Sequence, residues 1–405
     1  MQAHSATSDA GATSPPVRRR PRDRKSQIIK VASRAFSERG YHPVGVDEIA
    51  AELGISGPAM YRHFPNKYAL LVACAETGAQ LLLSSTTQVD GSSAEPADQL
   101  RGVIAGLVGA TVDNRRGGGL YRWERRYLEP EDRKRLRGIY DAVNAALEKP
   151  LRGLRPDLTD ADAQLLTNAA LSVIGSITAH RVTAPAQRLE AIVAELAWQV
   201  LTTELPPPPD PAEPPRVREP GLTVSAKREV LLTEAVKIFS ARGYHETSIE
   251  EIGAAAGMNA SSVYRHFPSK AELLAAAFYR AGDRLAVSIA DALAESSDAR
   301  QAVERLAERY VELAFASPEL IAVYFAEFGN LPESERSNLR AIQRQNVAEW
   351  VHLLIETGID PVDARLRVHA ALGVVVDIGR LNRFDRRPAT VRRVQQLVNA
   401  VVFGN

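Results

Sequence analysis

Cysteine is almost missing from this chain of 405 residues, where Cys74 stands alone. A single thiol excludes an intrachain disulfide and a cysteine-cluster metal site, and it suits a reducing interior. Long apolar runs are missing too. Nowhere do 18 apolar residues follow one another, and the opening 16 residues are Ser/Ala/Thr/Pro-rich without signal-peptide form, so a cytoplasmic protein is expected. Excess charge is missing, at a formal net of +1. Beta-branched alternation is rare while Ala, Leu, Arg and Glu dominate, which predicts an all-α interior. Catalytic chemistry has no foothold: there is no nucleophile–base arrangement, no phosphate loop and no dense metal-ligand cluster. No catalytic residue, cofactor or metal is expected, and an enzyme is the disfavoured reading.

What is present is a repeat. Tyr-Arg-His-Phe-Pro occurs at 61–65 and again at 264–268, 203 residues later. Phe36, Arg39, Gly40, Tyr41, His42, Ile49, Gly54, Lys67 and Leu70 recur without a gap as Phe239, Arg242, Gly243, Tyr244, His245, Ile252, Gly257, Lys270 and Leu273. A period of about 200 residues is too long for a solenoid and suits two whole domains. Beyond the heads, Tyr121, Glu124, Leu128, Arg133, Leu136 and Arg137 match Tyr324, Glu327, Leu331, Arg336, Leu339 and Arg340 at the same offset.

Punctuation divides the chain into a disordered tail (1–17), a short helical head with a basic arm (18–68) and a larger helical body (69–203). A Pro-rich linker (204–223), a second head (224–271) and a second body (272–405) follow. Residues 204–220 hold eight prolines in seventeen positions, a composition that favours extended polyproline II geometry. Such a linker either lets the two units pack together or tethers independent beads. In the first head, helices are expected up to Gly40, over Val46–Leu53, and from an N-cap at Ser56 to Phe64; Asn66 caps a long helix from Lys67. The second head predicts helices over Ala226–Ala241, Ile249–Ala256 and Ala260–His266, the last capped by Asn259.

Three short helices with a capped third fit a helix-turn-helix whose third helix enters the major groove. Ser56 and Asn259 start those helices, Tyr61 and Tyr264 offer hydroxyls, and Lys67 and Lys270 place charge beside a phosphate. Candidate base readers are Gly57, Pro58 and Ala59 in the first head, and Ala260, Ser261 and Ser262 in the second. The two sets differ, so two unlike half-sites are expected. Arg18, Arg19, Arg20, Arg22, Arg24 and Lys25 form an arm that either follows phosphates or the minor groove, or is a solvated tail. His63 and His266 are candidates for phosphate contact or for simple packing. Between Arg18 and Lys67, eleven basic residues stand against five acids, whereas Leu222–Lys270 has six against five. The first head is therefore the stronger partner for a polyanion.

The frame Ala35-Phe36-(2)-Arg39-Gly40-Tyr41, Ile49-Ala50-(3)-Gly54-Ile55-Ser56 and Tyr61-Arg62-His63-Phe64-Pro65-Asn66-Lys67, with its second copy, resembles the TetR family of bacterial transcriptional regulators. The resemblance implies nine-helix units, in which helices 1–3 bind operator DNA, helices 4–7 enclose an effector and helices 8–9 dimerise. It carries phosphate contact onto Tyr61, Lys67, Tyr264 and Lys270, and the cap of the second helix onto Thr247. Val44 stands in the matching place of the first unit and has no hydroxyl. The chain is similar to tandem TetR-type repressors of actinobacteria, among them one over a mammalian-cell-entry lipid-import operon. That likeness implies a small effector such as a lipid, sterol or acyl-chain derivative.

In the bodies, Tyr121, Trp123, Glu124 and Tyr127, with Tyr324, Phe325, Glu327 and Phe328, are candidate pocket residues. Aromatics at helical spacing are more usually core residues. A buried Glu124 or Glu327 needs a nearby arginine as partner. The turn Arg115-Arg116-Gly117-Gly118-Gly119 is a joint or an anion site. The last helices of each unit, Leu165–Ile177 with Ile192–Leu201 and Leu366–Ile378 with Val391–Val401, are expected to close one intramolecular four-helix bundle. The expected protein is a monomer acting as a pseudo-dimer on double-stranded operator DNA, with no membrane partner. In the competing arrangement only the first head reads DNA, and a homodimer of chains sits on a palindrome.

Overall fold

The computed structural model describes residues 24–87, 95–122, 126–214 and 225–404. Seventeen α-helices and no strand occur among the described residues. The first half runs α1 (Arg24–Arg39), α2 (Val46–Glu52), α3 (Gly57–Tyr61), α4 (Lys67–Ser85), α5 (Pro96–Asp113), α6 (Pro130–Leu154), α7 (Asp160–Ser176) and α8 (Ala186–Thr202). The second runs α9 (Lys227–Arg242), α10 (Ile249–Ala255), α11 (Ala260–His266), α12 (Lys270–Ala294), α13 (Ala299–Ala316), α14 (Pro318–Glu327), α15 (Glu333–Glu356), α16 (Pro361–Leu381) and α17 (Pro388–Phe403).

Each head closes on the same six core positions. Ile28, Phe36, Ile49, Met60, Phe64 and Leu70 are buried in the first, and Leu231, Phe239, Ile252, Val263, Phe267 and Leu273 in the second. In α1, Ile28, Ala32, Ala35 and Phe36 form one stripe, the i, i+4, i+7, i+8 pattern that turns one helix face inward. Gly40 ends it at φ +85° and Gly243 ends α9 at φ +97°, a conformation in which a side chain would strain the backbone. Asn66 accepts the Ala69 amide and Asn259 accepts the Ser262 amide, as expected of N-caps. Ser56 sits at the N-cap of α3 without a side-chain bond, and α3 stops at Tyr61, short of the expected Phe64.

One glycine separates the two helix-turn-helix corners. A Cβ on Gly253 would lie 2.8 Å from Val263 Cγ2 and 2.9 Å from the Met258 carbonyl. The first head has Ala50 against the unbranched Met60 at these positions. Gly253→Ala is therefore expected to cost about 1–3 kcal/mol through overpacking, with partial recovery when Val263→Met is added. Thermal unfolding of the two variants checks the pairing.

The bodies share a single core. Buried residues of α5–α8, α12, α13 and α15–α17 belong to one continuous apolar cluster. At its centre α7, α8, α16 and α17 form the expected four-helix bundle, with α7 lying along α16. Val374, Val375 and Val376 are all buried there, which supplies the partner surface their sequence demanded. Gly373 of α16 faces Ser172 and Ser176 of α7 across this seam. Polar pairs cross the seam: Ser172 Oγ donates to Asp377 at 2.7 Å, and Arg393 binds Asp162. The linker does not leave the units independent. Arg387 donates to the carbonyls of Asp210 and Glu213 at 3.1 and 2.9 Å. By length and composition α4 is apolar enough to cross a membrane, but here it packs between α1, α5 and α6.

Candidate nucleic-acid interface

The two reading helices present their expected residues to solvent, except where an internal partner takes them. Tyr61 is 50% exposed and Tyr264 48% exposed, the most open tyrosines of their heads. Both rings are left accessible to an external partner. Ser56, Pro58, His63, Asn259, Ser261 and His266 are exposed, while Gly57, Ala59, Ala260 and Ser262 are half-buried. The second helix carries its own polar network: Ser261 Oγ donates to Asn259 Oδ1 at 2.9 Å, and Arg265 donates to Ser262 Oγ at 2.8 Å. The first has no counterpart to Ser261 or Ser262, so the two surfaces differ in chemistry as their sequences do.

Three residues expected to face outward, Thr247, Lys67 and Lys270, turn toward their own heads. Thr247 is buried, and its hydroxyl donates to the Gly243 carbonyl at 2.6 Å. The cap of α10 is the next residue, Ser248, which forms a capping box with Glu251. Thr247 therefore closes the turn from inside the head, and Val44 fills the matching place by burial alone. Lys67 and Lys270 also turn inward. Lys67 Nζ donates to the His42 carbonyl at 3.1 Å and lies 4.5 Å from the Tyr41 ring centre. Lys270 Nζ donates to the Tyr244 and Thr247 carbonyls at 2.6 and 2.7 Å, 4.4 Å from the Tyr244 ring. Burial lowers the pKa of both lysines. A lysine at a helix start, unfavourable for the dipole alone, is explained here by these carbonyls and by the ring face.

The basic arm is described from Arg24 onward; Arg18, Arg19, Arg20 and Arg22 lie outside the described residues. Arg24 donates to Gln27 at 3.1 Å, and Lys25 lies 5.6 Å from the Phe64 ring. Arg228 repeats that placement over Phe267 at 4.7 Å.

The heads meet each other. His42 and His245, copies of one position, meet with ring centres 4.2 Å apart and planes tilted by 46°, which places the axis relating the two units between them. Tyr127 lies against Tyr41 and His42 at 5.2 and 5.1 Å. His245 Nε2 lies 2.8 Å from Asn330 Oδ1. Burial first, then His245 and Lys67, lower the His42 pKa, with Glu246 opposing. Folding thus prefers the neutral imidazole. Its stabilisation is complete above the ordinary value of about 6.5 and is lost as pH falls through that range. The thermal midpoint is expected to drop between about pH 7 and 5, and less so in His42→Asn.

Beside this contact, Glu327 is 1% exposed. Burial raises its pKa; Arg126, the Tyr244 amide, His245 and Asn330 pull the other way. Arg126 Nη2 lies 3.3 Å from Glu327 and donates to the Phe239 carbonyl at the end of α9. The first body thereby holds the second head. The repeat places Gly329 opposite Arg126. A Cβ there would stand 2.7 Å from the Arg39 carbonyl, so the second body meets the first head by bare backbone. The expected arginine partner of Glu327 exists, but it comes from the other unit.

Among the remaining pocket candidates, Tyr121, Tyr324, Phe325 and Phe328 make packing contacts. Tyr121 abuts Gly175 of α7. Tyr324 packs with Phe278 and Phe328 and donates to Gln343 at 3.1 Å, and Phe325 lies under Arg380. Trp123 and Glu124 lie outside the described residues. The Gly-rich turn is a joint. Arg115 donates to the carbonyls of Ile177, His180 and Val182 at 2.8–2.9 Å, and Ser37 of α1 donates to the Gly117 carbonyl at 3.0 Å.

The sequence model for "Bacterial regulatory proteins, tetR family" matches residues 28–74 and 231–277, the two segments that form the heads and the start of the helix behind each. The chain is 37% identical over 87 residues to the HTH-type transcriptional activator FasR of Mycolicibacterium smegmatis, covering 21% of this chain and 40% of that one. It is 31% identical over 112 residues to the HTH-type transcriptional repressor KstR2 of Rhodococcus jostii, covering 28% and 55%. The matches thus span about half or less of these relatives' own length. Among solved structures, the ketosteroid regulator KstR2 of Mycobacterium tuberculosis superposes with a TM-score of 0.40 at 21% identity, covering 45% of this chain and 96% of the other. With both head matches falling on the duplicated helix-turn-helix units, the chain is a tandem member of the tetR family of bacterial regulatory proteins.

Proposed function

We propose that this chain is a cytoplasmic transcriptional regulator that binds one asymmetric operator with two unlike heads. It acts as a repressor released by a small apolar or amphipathic effector. The observation that supports this reading best is the His42–His245 contact, which brings two heads together within one chain. Tyr61, His63 and the turn Ser56–Ala59 serve the first half-site; Asn259–Ser262, Tyr264 and His266 serve the second. Lys67 and Lys270 act by holding the turn before each second helix and only secondarily through their charge. Arg18–Lys25 adds sequence-independent attraction to phosphates, which makes affinity fall with salt. Release requires an effector that binds the non-DNA arrangement of the heads more tightly than the DNA-bound one.

The uneven basic charge favours a second reading, in which only the first head reads DNA and two chains sit on a palindrome. Selection of binding sites from a random duplex pool tests the proposal. Recovered sites should hold two different elements at fixed spacing. Recovery of one element in inverted repeat would contradict it.

A further inference from the structure

A cleft of about 1060 Å³ opens between α12, α13 and the start of α17. It is at the upper end of the size range of small-molecule sites. Its lining contains five arginines and three acids. Two of the arginines are committed: Arg280 pairs with Glu229, and Arg309 with Glu295. Arg284, Arg386 and Arg392 are exposed and have no ion pair among the described residues. Beside them lie Leu313, Val391 and Val287, the last 60% exposed, over a buried Phe315. Three uncommitted guanidiniums suit a head group carrying about two negative charges, and phosphate accepts their forked donors well. The apolar side of the cleft suits a chain.

Among the described residues the first unit closes the corresponding space, and the reason is legible. Arg280, Arg284 and Arg309 correspond at the 203-residue offset to Thr77, Leu81 and Gly106. A Cβ on Gly106 would stand 2.3 Å from the Ser85 carbonyl, so α5 lies directly on α4 there. Arg309 occupies the same place in the second unit, and Ser288, the copy of Ser85, lines the open cleft.

We propose that this cleft binds an amphiphile with an apolar chain and a phosphate-bearing head, one molecule per chain. The same α12 that forms its wall starts at Lys270 in the second head, and Arg280 ties it to Glu229 on α9. An occupant therefore acts on the second head first. This regulatory consequence rests on the effector reading above; the binding site does not.

Calorimetric titration of the full chain with monomeric dodecyl phosphate tests the site, with dodecanol and inorganic phosphate as comparators. One site per chain is expected, with each comparator at least about tenfold weaker. The surface variant Arg284→Glu/Arg386→Glu/Arg392→Glu should weaken binding about tenfold or more, and Val287→Asp should weaken it independently. Absence of binding, two sites per chain, or equal binding by the triple variant would overturn the proposal. Loss of operator affinity in the triple variant without amphiphile would overturn it too, by assigning the arginines to DNA. Binding without operator release keeps the site and sinks the effector reading. An effector that still releases the triple variant does the reverse.

Discussion

Pro58→Glu and Ser261→Glu, made separately, should each lower operator affinity by about 10²–10⁴-fold. Both positions are exposed in the first turn of a reading helix. A carboxylate there suits the helix dipole, so neither change should unfold its head, while both place negative charge against the duplex. Two heads in one chain raise each other's effective concentration at the operator, and removing either leaves a single weak module. Fluorescence anisotropy with a labelled operator measures the loss. Should Ser261→Glu bind like the parent chain while Pro58→Glu fails, the second head does not read DNA.

Arg126→Met is expected to destabilise the chain by about 3–5 kcal/mol, because it strands the buried Glu327 carboxylate and removes a second donor from the Phe239 carbonyl near the end of α9. Adding Glu327→Gln should recover much of the loss, since an amide needs no countercharge. Denaturant unfolding gives both values. The single variant should also free the second head from the first body, so its α9 amides should exchange with solvent faster than those of α1. A loss equally large with Glu327→Gln present would show that the arginine matters only through its bond to Phe239.

The heads were legible because their signals are local. Asn66, Asn259, Gly40 and Gly243 each specify a cap or a stop through the chain on either side of them. The four-helix bundle was legible from Val374-Val375-Val376, whose apolarity on several sides required a partner. What escaped depends on contacts between distant residues. Lys67 and Lys270 read as phosphate ligands because nothing in the sequence shows the carbonyls of the preceding turn folding back onto them. Thr247 read as a cap, although its neighbour Ser248 carried the stronger signal, a glutamate three residues on. The sequence requires an arginine near Glu327 without saying which; duplication lets the two copies exchange partners across an axis that no single repeat reveals, and Arg126 comes from the other unit. The cleft was missed for a related reason. The aromatic residues that suggested a pocket pack into the joints beside the heads, whereas the open space follows from a glycine-to-arginine difference between copies.

If one polypeptide places two unlike heads on one operator, counting chains per protected site will show it. Footprinting on a selected duplex, with the mass of the complex measured in the same solution, should show two different half-sites covered by a single 405-residue chain. A symmetric footprint covered by two chains would contradict the account.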